Sequence, residues 1–509
     1  MVANLYIKFK SKRTKHKNQV TKLFNAWCKR LLLQSERLVL KANICQNKNK
    51  QLYMKRLLIS LCVISLVFGA CKSKKEDEDN HNESINECIY DIMDIYYLWN
   101  NHMPKRRNVD FNQSPDKFFE SLLYKPDEVD LWSYISDDSQ ALDDRHEGTP
   151  YSMGYAPQFA LYDEGKYVAI IVLHVYPNTP AARAGLKRGD LILDINNTPL
   201  TPDNYVELYT LQTSTYGLGF YDPVNNYLDL TGVKVEMSAE KIEADPSAFD
   251  TIYYVGSKPV GYYAYMSFTT GNKFHPSMDA AFDRFKAAGV KDLILDLRYN
   301  GGGDIETAGH LASAIAPVSV VNSHEVLVTF VYNNLLTNAY KGYEEESIYR
   351  FPNNSHNADI ENLYVLGTYG TASASELVTI GLKPYMNVTL VGENTYGKYT
   401  GMIVFDKKEK DCQDLENWAI APIVMKYANA EGFTDFKDGL IPDIYVEDDV
   451  LSGYSLGCPD DPMIAAALDR IEGLPLTAKA ARRSPLKHFR ADRSVEDKDL
   501  IINKLRINN

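Results

Sequence analysis

The residues of this chain that can do chemistry lie in loops that follow apolar runs. One loop is Asp296-Leu297-Arg298-Tyr299-Asn300-Gly301-Gly302-Gly303. Three successive glycines let the backbone turn sharply and approach a ligand closely, and they free N–H groups to point at an anion. No Gly-Lys-Ser/Thr follows, so this is not a nucleotide-phosphate loop; a plain tight turn would read the same way. A second loop is Gly370-Thr371-Ala372-Ser373-Ala374-Ser375-Glu376, running into a helical pattern through Leu377 and Ile380. A hydroxyl there sits in the positive potential of a helix N-terminus, and neighbouring N–H groups can hold an oxyanion. Thr371, Ser373 and Ser375 are equally good helix caps. A third segment, Val391-Gly392-Glu393-Asn394-Thr395-Tyr396-Gly397-Lys398, ends in a lysine behind a glycine and an apolar strand. An amine takes a hydroxyl proton only if its pKa falls from about 10.4 toward neutrality, and burial does this by disfavouring the ammonium. Serine and lysine can then serve as nucleophile and base.

The elements around these loops alternate. Gly261 to Phe268 reads as a strand. His275 to Ala288 reads as a helix, with Met278, Ala281, Phe282 and Phe285 on one face and Gly289 closing it. Asp292 to Arg298 is a strand of the buried type, a helix covers about Ile305 to Ile315, Leu363 to Gly367 is a strand, 373–385 a helix and Val388 to Gly392 a strand. Strands alternating with helices imply a largely parallel sheet covered by helices. Upstream, 86–147 reads as a small helical domain and 150–237 as strand-rich.

Within that strand-rich part, Val175-Tyr176-Pro177, Pro180-Ala181-Ala182, Ala184-Gly185-Leu186, Gly189-Asp190 and Ile192-Leu193-Asp194-Ile195-Asn196 resemble the core of a bacterial PDZ domain. Such a domain takes a peptide C-terminus as an added strand at a sheet edge. The resemblance places the carboxylate loop at Gly154-Tyr155, ahead of the first long strand. Gly217-Leu218-Gly219-Phe220 also spells a carboxylate-loop signature, but it fits better as a return strand.

The glycine loop, the small-Ala-Ser-Ala-Ser-Glu run and Tyr396-Gly397-Lys398, in this order behind a PDZ-like segment, resemble the C-terminal processing (tail-specific) peptidases, serine peptidase family S41. The resemblance spans about Met153 to Asp443, including Gly439-Leu440-Ile441-Pro442-Asp443. It implies an α/β catalytic domain with a ClpP/crotonase-like parallel sheet at 240–455, the PDZ domain at 150–237 and the small helical domain at 86–147. It implies Ser373 as nucleophile and Lys398 as base, 398 − 373 = 25 positions apart as in the family, where Ser375 would give 23. The oxyanion donors would be the backbone N–H groups of Gly302 and Ala374. Some members carry Gln four residues after the lysine; Met402 stands here, so other groups must hold Lys398. The competing reading is a catalytically degenerate, surface-anchored peptide-binding lipoprotein; another is a hydrolase of small nutritional peptides. A tricorn-like branch uses a histidine, for which His310 is the candidate. No metal or cofactor is implied.

The remaining sequence concerns location. Residues 1–53 hold 13 basic residues and one acid, 13 − 1 = +12, while the whole chain carries 55 basic against 67 acidic residues. So acidic a body lacks the basic patches that nucleic-acid binding needs. Met54-Lys55-Arg56, the apolar Leu57 to Phe68 and Gly69-Ala70-Cys71 have the order of a secretory signal, too short to favour a spanning helix. Residues 54–71 resemble a bacterial lipoprotein signal, with Cys71 lipidated, 72–85 as a tether and 1–53 as a leader upstream of the true start. The implied location is the bacterial cell envelope, anchored by lipid, with Lys72 after the cysteine resembling outer-membrane lipoproteins. Partners are then the membrane and protein or peptide substrates with free C-termini. Cys88, Cys412 and Cys458 remain; an oxidising compartment permits a Cys412–Cys458 disulfide. Residues 456–509 read as a helix from Pro462 to Ile471 and a basic tail from Lys479 to Arg493.

Overall fold

The computed structural model describes residues 81–126, 128–222, 224–408, 413–474, 487–488 and 500–501. The lipoprotein-like signal, Cys71 and Cys412 lie outside these residues; Cys458 carries a free thiol. No described helix is long and apolar enough to cross a membrane. The described residues form two compact units, one of 81–88 with 105–118, the other of 89–104 and the chain from Phe119 onward. In the smaller unit, buried Asn86 donates from Nδ2 to the carbonyls of Phe111 (2.9 Å) and Gln113 (2.8 Å).

In the larger unit the first strand, β1 (Tyr134–Ser136), is followed by α1 (Ser139–His146), capped by Asp138, which accepts the Ala141 N–H. An antiparallel sheet follows: β2 (Tyr155–Tyr162), β3 (Tyr167–Val175), β4 (Leu191–Ile195), β5 (Thr213–Asp222) and β6 (Tyr227–Ser238), each paired with the next. Between β3 and β4 lies the one-turn α2 (Pro180–Arg183), with Thr179 as its cap and Pro180 at its first position. β3 reads as an unbroken apolar run because both its faces are covered. Val168, Ile170 and Val172 pack into the core of this sheet, while Ala169, Ile171 and Leu173 pack with Val450 and Tyr299 from the following part of the chain. Gly217 and Gly219 lie inside β5, where a Cβ would strike the side chains of Asp194 and Leu193. They are close-packing glycines of a return strand.

The α/β part begins with β7 (Ser247–Val255), antiparallel to β8 (Lys258–Tyr265). Helix α3 (His275–Ala288) buries Met278, Ala281, Phe282 and Phe285 and ends at Gly289, whose φ of +69° is the left-handed cap conformation. Then come β9 (Asp292–Asp296), the short β10 (Gly303–Asp304) and α4 (Ile305–Ile315), capped by Asp304 through the Thr307 N–H. They are followed by β11 (Val326–Tyr332), β12 (Ile348–Arg350), β13 (Asn362–Gly367), α5 (Ala374–Leu382), β14 (Asn387–Gly392), β15 (Thr400–Met402), β16 (Ala419–Ala421), β17 (Ile423–Asn429), β18 (Ile444–Tyr445) and α6 (Pro462–Glu472). Two tail strands close the described chain: β19 (Lys487–His488) and β20 (Leu500–Ile501).

The main sheet has the order β7-β8-β9-β13-β14-β18. From β8 onward every pairing is parallel, so each strand needs a crossover and the helices come to cover the faces. One face is closed by α6, whose Met463, Ile464 and Ala467 pack on Tyr262, Ile294, Leu366 and Val391. A second sheet runs β10-β20-β15-β17-β11-β12. The N-terminal segment joins this part through β1, which pairs antiparallel with β16, and through Ser133 Oγ, which accepts the Ile423 N–H at 2.9 Å. The expected α/β domain behind a β-rich PDZ module is therefore present. Residues 86–147, read as one helical domain, contribute to both units.

Candidate active site

The glycine loop leaves β9 and the serine loop leaves β13, adjacent parallel strands, so both emerge at the same end of the sheet. That end is where open parallel sheets place their ligands. Asn300 ties the loops together. Its carbonyl accepts the Ala372 N–H (3.1 Å) and the Ser375 hydroxyl (2.9 Å), and its Nδ2 donates to the Tyr265 carbonyl (3.0 Å).

These bonds separate the three candidate hydroxyls. Thr371 Oγ1 donates to the Leu297 carbonyl at 2.8 Å and Ser375 Oγ to Asn300. Ser373 Oγ is buried and has no hydrogen-bond partner. Ser373 also sits at φ +60°, ψ −111°, a conformation that costs a non-glycine residue about 1–3 kcal/mol and persists only where its surroundings enforce it. Here the Ser375 N–H closes a turn onto the Ala372 carbonyl (3.1 Å), and the Leu377 N–H holds the Ser373 carbonyl (2.8 Å). The hydroxyl is thereby held at the first turn of α5.

Lys398 lies just before β15 and is fully buried. Because Ser373 Oγ has no partner, the two side chains are not hydrogen-bonded to each other in this conformation. Their backbones are joined instead by Glu376, which is fully buried. Its Oε2 accepts the N–H of Ser373 (2.7 Å) and of Lys398 (2.9 Å); its Oε1 accepts the Gly397 N–H (2.7 Å) and the Thr395 hydroxyl (2.5 Å). Burial pushes the Glu376 carboxyl up to about 7 against the pull of those four donors. From the other side, the Tyr427 hydroxyl lies 2.9 Å from the carbonyl oxygens of both Ser373 and Lys398. Sequence reasoning assigned no role to Glu376 or Tyr427. The signal for Glu376 was its place three residues after Ser373, the spacing of a capping box; nothing local marks Tyr427.

Of the expected oxyanion donors, Ala374 opens α5. Gly302 stands at φ +112°, and its N–H is turned onto Asn300 Oδ1 at 2.9 Å. The next glycine, Gly303, passes so close to Phe268 that a Cβ would lie 2.0 Å from its carbonyl oxygen. Met402, four residues past the lysine, is fully buried in an apolar cluster with Trp132, Ala421 and Ile423. His310 donates from Nε2 to Asp279 Oδ1 (2.7 Å) and stacks on His275; it makes no bond to Ser373 Oγ. Among the described residues, no group of three or more His, Cys, Asp or Glu is arranged to hold a metal ion.

Gly154 and Tyr155 stand at the start of β2. Gly154 has φ +86°, its carbonyl accepts the Tyr176 N–H (3.0 Å), and its own N–H donates to Ser152 Oγ (3.1 Å). A groove of about 250 Å³ runs from Tyr155, Gln158 and Phe159 of β2 to Gly301, Thr368 and Tyr369 beside the two loops. The two modules are locked by Arg188, in the turn before β4. It donates to the Tyr454 carbonyl and the Tyr299 hydroxyl (2.5 Å each) and pairs with Asp448 (3.3 Å), which also pairs with Arg298 (2.9 Å).

A PDZ-like β module is joined by a groove to a strained, buried serine on an α/β sheet. The comparisons point to peptidase family S41. Residues 259–446 match that family's domain, 84–134 the Peptidase S41 N-terminal domain and 171–210 a PDZ domain. The chain is 28% identical over 303 residues to the carboxyl-terminal-processing protease of Synechocystis sp., covering 58% of this chain and 63% of the relative. It is 27% identical over 288 residues to the carboxy-terminal processing protease CtpA of Bacillus subtilis, covering 56% and 54%. Each match thus spans less than two thirds of the relative. A crystal structure of a Bacteroides fragilis NCTC 9343 protein assigned to the S41 proteases superposes with a TM-score of 0.60 at 25% identity, covering 76% of this chain and 97% of that one.

Proposed function

We propose that this protein is a serine endopeptidase that cuts proteins or peptides captured by their free C-termini. The observation that carries the reading is the Ser373 hydroxyl: the one hydroxyl of three left uncommitted, held in a strained turn by a carboxylate that also holds Lys398. Ser373 attacks the carbonyl carbon while Lys398 takes its proton, and Lys398 then gives that proton to the departing amine as the C–N bond breaks. The N–H groups of Gly302 and Ala374 hold the oxyanion, and water then releases the acyl-enzyme. The Gly302 N–H must first leave Asn300 Oδ1. The PDZ module takes the terminal carboxylate at Gly154-Tyr155, and the groove leads the chain toward the serine. A lipid on Cys71 would hold the enzyme at the bacterial envelope, on the outer membrane, facing the periplasm or the exterior.

The test is turnover of an unstructured protein with an apolar C-terminus. Ser373→Ala and Lys398→Ala are each expected to lower kcat by at least about 10³-fold. Cleavage at the wild-type rate by either variant would sink the proposal. Met402 in place of glutamine and the engaged Gly302 N–H favour a second reading, a peptide binder without turnover. That reading requires tight C-terminal peptide binding with no labelling of Ser373 by serine-reactive probes.

A further inference from the structure

The two short tail strands lie where a peptide substrate would have to go. β19 pairs antiparallel with β2, Lys487 opposite Leu161 and His488 opposite Ala160. The tail therefore occupies the outer edge of the PDZ sheet, the kind of edge at which strand addition captures a peptide. β20 pairs parallel with β10, Leu500 opposite Gly303 and Ile501 opposite Asp304, and on its other side with β15, Ile501 opposite Met402. β10 follows directly on Gly302, and β15 starts two residues after Lys398. The slot that β20 fills is thus bounded by the elements carrying the oxyanion donor and the base, and β20 is what joins β10 to the rest of its sheet.

We propose that the tail strands β19 and β20 are a built-in ligand, one lying on the PDZ edge and the other in the β10–β15 slot as an extended substrate would, each competing with substrate for its place. This rests on the peptidase reading above. Main-chain pairing tolerates many sequences, so one slot serves the tail and unrelated substrates alike. Near β20, Ser373 and Lys398 are fully buried and the Gly302 N–H is spent on Asn300 Oδ1. A tethered segment reaches an effective concentration on the order of millimolar. With an intrinsic Kd of about 100 µM it would fill the slot about nine-tenths of the time and slow turnover roughly tenfold.

The experiment compares the full chain with the full chain carrying Leu500→Pro and Ile501→Pro, which remove the N–H donors of β20. The prolines are expected to raise kcat/KM about tenfold, mainly by lowering KM, and a synthetic peptide of residues 485–509 added in trans should reverse the gain. An unchanged rate would overturn the proposal. The same peptide, fluorescently labelled, is also titrated against both forms bearing Ser373→Ala. About tenfold tighter binding to the proline form supports the proposal, and equal binding overturns it. This second arm reads the tail without turnover, so failure of the peptidase reading stays distinguishable from failure of the tail's role.

Discussion

The backbone N–H groups of Ser373 and Lys398 share one acceptor, Glu376 Oε2, at 2.7 and 2.9 Å. The proposed nucleophile and base come from loops 25 positions apart, 398 − 373, yet their main chains are fixed to a single oxygen atom. Met402 cannot orient the lysine, so this carboxylate takes over the positioning from the main-chain side. Glu376→Gln replaces an acceptor by an amide that faces N–H donors, and an unmet buried donor costs about 1–3 kcal/mol. We expect kcat to fall roughly 10- to 100-fold with little change in KM. Equal kcat in variant and wild type would remove Glu376 from the positioning role.

The same carboxyl gives activity and stability opposite pH dependences. Burial raises it to about 7, so it takes up a proton as pH falls through 7 and can no longer accept from all four donors. Turnover should therefore decline below pH 7. For folding the sign is reversed: the native state holds this proton more tightly than the unfolded chain, so the group's stabilising share is full at low pH and lost as pH rises through about 7. Unfolding curves of wild type and Glu376→Gln between pH 5 and 8 should converge at the acid end if this linkage holds.

Tyr427 braces the pair from the carbonyl side. Tyr427→Phe removes one hydroxyl and keeps the ring that packs against Phe436. We expect a loss of about 1 kcal/mol in stability and a several-fold lower kcat, measured by denaturant unfolding and steady-state turnover. An undiminished kcat alongside the stability loss would mark the residue as structural alone.

Arg188 joins the PDZ module to the loop that carries the glycines, through Tyr299 and Asp448. Arg188→Met leaves buried Asp448 with Arg298 and the Tyr299 hydroxyl but without its second cation, and removing one partner of such a group costs up to about 3–5 kcal/mol. The variant should unfold at lower temperature and be nicked by added protease between Asp448 and Asp461 sooner than wild type. Equal nicking rates would show that the modules hold together without it.

His174 in β3 is half-buried, and desolvation depresses it to about 4. The unfolded chain binds this proton more readily, so the stability it supports is present above about pH 6.5 and lost as pH falls toward 4. The full effect is up to about 3 kcal/mol. His174→Phe should flatten the decline of stability over that interval, and an unchanged slope would assign it to other groups.

Much of this architecture was legible in the sequence because the signals are local. The run Met278, Ala281, Phe282, Phe285 ahead of Gly289 marks a helix with its cap, and Leu293-Ile294-Leu295 marks a strand buried on both faces. The alternation of such elements dictates a parallel sheet. The serine loop was legible as chemistry, but not which hydroxyl was free, because Thr371 and Ser375 are disarmed by carbonyls of Leu297 and Asn300 more than 70 positions away. Tyr427 reaches Ser373 only through the register of β17. The tail strands are two residues long, too short to carry any hydrophobic period.

The pairing of β1 with β16 has a practical consequence. Tyr134–Ser136 covers one side of Ala419–Ala421, whose other side is bridged to Phe405. A shortened form beginning at the PDZ module would bare that strand's backbone and uncover the apolar surface around Met402 now shielded by Trp132. Open strand edges beside apolar surface recruit other chains, so such a form would tend to clump when produced. The segment ahead of Pro150 has to be kept for the rest to stay dispersed.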